Sequence, residues 1–233
     1  MSLVLALQAA DGVVLAADSR GTVGDPAGFA SSKDTQIKLY RLTDQAGVVF
    51  AGAHNLAVNF IEEIKEALAE NQRKAYIDDV KHCALEILRD RYHAYFGGPT
   101  RDNCPFLAFI FAGYLEEPRQ PRIYMMTSEN GFAPEYFPEG QAFAGLPQYA
   151  IYLVNRLHSP DATLDELTSL AVYAIAETAS QEPLVGGPIR VARISRRRGY
   201  EEVEKRMIED ILKRGEELNR RLREFFYQKG AGS

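Results

Sequence analysis

Residues 11–20 read Asp11-Gly12-Val13-Val14-Leu15-Ala16-Ala17-Asp18-Ser19-Arg20. Asp-Gly is a strong hairpin-turn signal when apolar β-rich runs flank it, as residues 2–9 and 12–18 do here. A β-hairpin is therefore expected at the start of the chain. Working outward, residues 19–32 are rich in Gly, Ser, Asp and Pro and read as a loop. Residues 35–41 and 47–52 read as two further short strands. Leu56, Phe60, Ile61, Ile64 and Leu68 then recur at helical spacing, as do Ile77, Val80, Leu85, Leu88 and Tyr92. Gly97-Gly98-Pro99 is expected to end that second helix.

Strands return at Phe106–Tyr114 and Arg122–Thr127, with Glu129-Asn130-Gly131 as a turn. Two shorter strands are expected before helices at 148–158 and 163–180. Thr163 and Glu166 have the spacing of a capping box. A strand at Pro188–Ser195 follows, then a helix from about 201 to 228 with Val203, Met207, Ile211, Leu218, Leu222 and Phe225 as its stripe. Strand runs followed by helix pairs, twice over, predict an α+β fold. Two antiparallel sheets packed face to face, each covered by helices, would satisfy every apolar face. This is a four-layer αββα sandwich over residues 1–200, with residues 201–228 as a helical extension packing on it or on a neighbouring subunit.

The 233 residues are 46% hydrophobic and 25% charged, which fits one ordinary folded domain and excludes disorder as the main state. A net charge of -5 argues against nucleic acid as a partner. No basic residue precedes the first apolar run, as a signal peptide requires. No apolar stretch reaches the about 18 residues of a membrane span. A cytoplasmic protein without a membrane partner is expected. Cys83 and Cys104 lack a CxxC context and fit a reducing compartment. His82 and His93 have no companion at ligand spacing, so no metal is expected. The Gly-containing loop at 21–28 lacks the Gly-Lys-Ser/Thr ending of a phosphate loop, and no cofactor signature is present.

The segment 11–20 closely resembles the opening of a proteasome β-type subunit, a member of the N-terminal-nucleophile hydrolases. Ile37-Lys38-Leu39-Tyr40, Val49-Phe50-Ala51-Gly52 and Ala176–Ile194 with Gly186-Gly187 resemble later family segments, in order. The resemblance covers roughly residues 2–200 and implies the same αββα sandwich. It also implies that the first residue of the mature chain is the nucleophile. Counting back from Asp18 and Arg20, that position falls on Ser2, exposed by removal of Met1. The family has Thr there; Ser keeps the hydroxyl. A free α-amine, with an ordinary pKa of about 7.7–8.0, would act as general base for that hydroxyl.

By the same resemblance, Lys38 is the catalytic lysine, Asp18 its acidic partner and Arg20 a supporting residue. Gly52 would offer its backbone N–H to an oxyanion, and Glu182 would stand in for a late Asp. Phe50 and His54 would line a substrate pocket. Two family serines are absent: Phe143-Ala144-Gly145-Leu146-Pro147 replaces a Gly-Ser-Gly stretch, and Val185 precedes Gly186-Gly187. The implied activity is peptide-bond hydrolysis of unfolded protein or peptides within a homo-oligomeric ring, with an AAA+ ATPase as a candidate partner.

Plainer readings stand beside these. Met-Ser is a common chain start. Asp18 and Arg20 could be a structural ion pair, and Lys38 a solvated strand lysine with Lys33 close by. His54 could be a cap or a surface residue. Ser195-Arg196-Arg197-Arg198-Gly199 reads as a solvated turn or a subunit contact. Phe226-Tyr227-Gln228 has the form of a hydrophobic-Tyr-X ATPase-docking end but is followed by five more residues. The alternatives to a peptidase are a non-catalytic ring-forming subunit and a small-molecule amidohydrolase on the same fold.

Overall fold

The computed structural model describes residues 2–24, 30–70, 75–97 and 104–227. Met1, Gly98, Pro99, Gln228 and the tip of the 21–28 loop, on which some expectations rested, lie outside the described residues. In chain order the first strands are β1 (Leu3–Ala9), β2 (Gly12–Ala17), β3 (Gly21–Gly24), β4 (Ala30–Lys33), β5 (Leu39–Arg41) and β6 (Ala46–Gly52). Helices α1 (His54–Glu70) and α2 (Ile77–Phe96) follow, then β7 (Leu107–Tyr114), β8 (Pro121–Thr127), β9 (Glu135–Tyr136) and β10 (Gln141–Gly145). The chain continues through α3 (Gln148–Leu157), α4 (Leu164–Gln181), β11 (Arg190–Ser195), β12 (Gly199–Glu202) and α5 (Lys205–Phe226).

Two five-stranded sheets run in the orders β10-β1-β2-β11-β12 and β5-β6-β7-β8-β9. Every pairing in them is antiparallel. The period of two in each strand sorts side chains between layers. In β1, Leu3, Leu5 and Leu7 face α3 and α4, while Val4 and Ala6 face the second sheet. In β7, Leu107, Phe109 and Phe111 face α1 and α2, while Ala108, Ile110 and Ala112 face the first sheet. The result is three apolar interfaces between four layers, as the αββα expectation requires. Each fully buried Leu, Ile or Phe contributes about 1.5–3 kcal/mol of transfer free energy.

Local signals account for several boundaries. Asp11-Gly12 turns β1 into β2 with Ala9 opposite Gly12. Thr163 and Glu166 cap α4 reciprocally: the Thr163 N–H donates to Glu166 Oε2 at 2.8 Å and the Glu166 N–H to Thr163 Oγ1 at 3.4 Å. The Ser195–Gly199 run is the turn joining β11 to β12.

Three expectations are corrected. The 19–32 loop contains a ribbon, β3 paired with β4, outside both main sheets. It carries none of the alternation that burial against a core would impose. The strand expected at 35–41 begins only at Leu39, although Lys38 already accepts a bond from the Phe50 N–H at 3.1 Å. The last helix starts at Lys205 rather than 201, because Gly199–Glu202 complete the first sheet as β12. Tyr200 is buried there between the sheets.

Candidate functional site

The hairpin of β1 and β2 sets the site's geometry. Leu3 and Asp18 meet at its open end, where the Asp18 N–H donates to Leu3 O at 3.1 Å. The strand ladder therefore places Asp18 beside the first residues of the chain. Ser2 is 5% exposed and is held from the other side by β10. The Leu146 N–H donates to Ser2 O at 2.8 Å. Gly145 has φ +94°, and a Cβ there would lie 1.9 Å from Ser2 O. Only glycine allows β10 to approach Ser2 this closely.

Asp18 is fully buried and accepts four hydrogen bonds. Oδ1 accepts from the Leu3 N–H at 3.1 Å and from Lys38 Nζ at 2.6 Å. Oδ2 accepts from the Arg20 N–H at 3.2 Å and the Gly186 N–H at 3.1 Å. Lys38 is 1% exposed, and its Nζ also donates to Arg20 O at 2.5 Å. Burial pulls the Lys38 ammonium below the ordinary lysine range, while Asp18 pulls it back up. Lys33, by contrast, is exposed in β4, so Lys38 is the buried lysine of the pair.

Arg20 extends the network. Its guanidinium forks onto Asp34 and also donates through Nη1 to Pro183 O at 2.9 Å. The Asp34 partnership keeps the Arg20 guanidinium firmly charged and holds the Asp34 carboxyl below its usual range. Asp34 was not legible in the sequence: it lies in a polar stretch with no periodic pattern. The carbonyls of Pro183 and Val185, which receive Arg20, carry no side-chain signal at all.

The remaining expected residues fall as follows. Gly52 ends β6 in a left-handed conformation, φ +118°, where a Cβ would strike Phe106 O at 2.1 Å. A Cβ added at Gly145 would lie 3.5 Å from Cβ of Ala51, the residue before Gly52, so the end of β6 adjoins the end of β10. Glu182 closes α4, and its Oε1 accepts the Leu184 N–H at 3.1 Å; it shapes the turn leading to Gly186. Val185 is fully buried in the first sheet's helix-side core.

Phe50 is corrected from a pocket wall to a core residue. The alternation of β6 sends it toward α1 and α2, where it is 1% exposed and its ring lies 6.1 Å from that of Phe109. His54 packs on Phe50 at 5.6 Å, and its Nε2 lies 3.2 Å from Ile37 O. It thereby tethers the residue preceding Lys38.

The arrangement can hold one buried cation against a carboxylate at the beginning of the chain. It does so with backbone groups from three segments, at Leu3, Arg20 and Gly186.

A family model described as proteasome subunit matches residues 2–194. The chain is 28% identical over 189 residues to the proteasome subunit beta of Halorubrum lacusprofundi, covering 80% of this chain and 70% of the relative. It is 27% identical over 199 residues to proteasome subunit beta 1 of Thermococcus gammatolerans, covering 83% and 89%. It is 28% identical over 207 residues to the proteasome subunit beta of Archaeoglobus profundus, covering 87% of each. Among the described residues, no helix is long and apolar enough to cross a membrane.

Proposed function

The chain belongs to the proteasome subunit family, and from that premise we propose that it is an N-terminal-nucleophile peptidase acting through Ser2. One observation carries this reading: Asp18 Oδ1 receives both the Leu3 N–H and Lys38 Nζ. This ties a buried cation to the peptide that follows Ser2. With Met1 removed, Ser2 carries a free α-amine. A nearby positive charge disfavours the protonated amine, so the amine is available as a base.

Ser2 Oγ attacks the scissile carbonyl carbon, and its proton passes to the α-amine. The Gly52 N–H donates to the resulting oxyanion. Collapse breaks the C–N bond, and the α-amine returns the proton to the departing amine. Water then hydrolyses the acyl ester, and Ser2 is regenerated. Asp18 fixes Lys38, and Arg20 supports Asp18.

The proposed setting is a homo-oligomeric ring in the cytoplasm, acting on unfolded protein or peptides, with an AAA+ ATPase as the candidate feeder. The second reading is a non-catalytic ring subunit. It is favoured by the absence of a serine hydroxyl at Gly145 and at Val185, the latter fully buried. A small-molecule amidohydrolase on the same fold is the third.

The test is the intact mass of the purified protein before and after a β-lactone or an epoxyketone. Loss of Met1 and a single adduct on Ser2 are the expected results. Quantitative retention of Met1 overturns the reading and leaves the ring subunit in its place. Turnover of an unfolded protein, rather than of small amides only, separates the first reading from the third.

A further inference from the structure

Arg20 is gripped more elaborately than an ion-pair partner requires. Its Nε and Nη2 donate to Asp34 Oδ1 and Oδ2, both at 2.8 Å, in a planar fork. Its Nη1 donates to Pro183 O at 2.9 Å and Val185 O at 3.4 Å. The pair packs closely against Gly186 and Gly187. A Cβ on Gly186 would come 2.7 Å from Arg20 Cζ, and one on Gly187 would come 2.9 Å from Asp34 Cβ. The turn pressed by this clamp is the one that delivers the Gly186 N–H to Asp18 Oδ2. Gly186 O in turn accepts the Ser19 N–H at 2.9 Å.

We propose that Asp34 is a positioning residue. By fixing the Arg20 guanidinium against the 183–187 turn, it holds the Gly186 N–H on Asp18 Oδ2 and leaves Oδ1 for Lys38 and Leu3. The catalytic consequence rests on the Ser2 reading above; the clamp itself does not. Asp34 is suited to a role separate from folding. Its side chain is 43% exposed, whereas Lys38 and Asp18 are shut from water. Losing its carboxylate removes no core contact but frees a guanidinium whose other partners are all carbonyls. A lysine could not replace Arg20, because a single ammonium cannot fork onto Asp34 and reach the turn at once.

The experiment compares Asp34→Ala, Asp34→Asn and Asp34→Glu in the full chain. Amide hydrogen exchange at Gly186 and steady-state hydrolysis of a fluorogenic peptide are measured on each. For Asp34→Ala the expected results are an unchanged circular dichroism spectrum and exchange at Gly186 about ten-fold faster. The expected kcat is about ten-fold lower, as for loss of an outer positioning partner, with KM within about two-fold. Asp34→Glu, which keeps the carboxylate, is expected to restore most of both. Unchanged Gly186 exchange in Asp34→Ala overturns the proposal whatever the activity does. Faster exchange with unaltered kcat reduces Asp34 to a structural clip and also overturns it. If the wild type neither turns over peptide nor takes the β-lactone, the Ser2 reading fails, and Gly186 exchange still decides the clamp.

Discussion

Lys38 Nζ lies 2.6 Å from Asp18 Oδ1, and the two side chains are 1% and 0% exposed. A buried pair of this kind gains little over an apolar replacement of both residues, but removing one partner strands the other charge. Asp18 would keep three backbone donors without Lys38. Lys38→Met is therefore expected to cost about 3 kcal/mol, the lower end for a broken buried pair. It should also abolish reaction with a β-lactone. Urea unfolding and probe labelling check the two halves separately. A stable variant that still labels would remove Lys38 from the site.

The pH response of Lys38 has a definite sign. Burial lowers its folded-state pKa below the unfolded value of about 10.4. Between those two values the unfolded chain binds more protons, so this residue's contribution makes the fold more stable as pH rises. The cation is lost in the same window, so activity falls there. Tyr92, Tyr114, Tyr124 and Tyr200 act oppositely: burial raises their hydroxyls, Tyr124 to about 12, and their contribution to stability falls as pH rises. The prediction is thus a difference. The Lys38→Met penalty grows as pH climbs toward 10, while wild-type activity declines. A penalty constant across that range would contradict it.

Ser2 gives the most direct chemical prediction. Ser2→Ala deletes the hydroxyl and is expected to prevent any adduct, while stability changes by no more than about 1 kcal/mol. Ser2→Thr retains the hydroxyl and is expected to label. Peptide mapping after probe treatment checks both. Labelling of the alanine variant would point to a different nucleophile.

Gly145→Ala tests the wall on the other side of Ser2. The new Cβ would fall 1.9 Å from Ser2 O, and φ is +94°. The strand must shift or the Leu146–Ser2 bond must break. A backbone cost of about 1–3 kcal/mol is expected, with loss of probe reaction because Ser2 moves. Thermal unfolding and intact mass report the two effects. Full activity in this variant would mean that the position of Ser2 is not set by β10.

The fold's opening hairpin could be read from the residues, the candidate site only through the family resemblance, and the exceptions have physical causes. The hairpin is legible because β1 and β2 are apolar on both faces and Asp-Gly separates them. Lys38 and Asp18 are singled out by the family resemblance, and the structure pairs the two side chains. Phe50 is expected with His54 along a substrate pocket, yet a period of two puts it on the face opposite its neighbour Ala51. Ala51 faces the inter-sheet layer, so Phe50 faces the helices. Strand β12 was hidden because Gly199-Tyr200-Glu201-Glu202 leads directly into a charged helix. Val203 also fits that helix's spacing with Met207. Asp34 bears on the distant 183–187 turn only through the Arg20 guanidinium, which donates both to Asp34 and to Pro183 O, and no local pattern encodes such a contact.

The last prediction concerns α5. Its apolar stripe is continuous, but among the described residues only Ile208 and Ile211 of this helix are buried. Ile208 and Ile211 are buried in the core beside α4. The Tyr173 hydroxyl donates to Asn219 Oδ1 at 3.0 Å, and Asn219 Nδ2 donates to Glu177 Oε1 at 2.6 Å. Beyond Asn219 the same face carries Leu222, Phe225 and Phe226, and the two phenylalanines are 72% and 71% exposed. Covering a side chain of this size is worth about 1.5–3 kcal/mol, enough for these residues to bias assembly. Truncation after Asn219 is therefore expected to leave thermal unfolding of the sandwich nearly unchanged. It should reduce the mass found by size-exclusion chromatography with light scattering. Phe225→Glu combined with Phe226→Glu should do the same while keeping the helix. Unaltered mass in both variants would place the subunit contacts elsewhere on the surface.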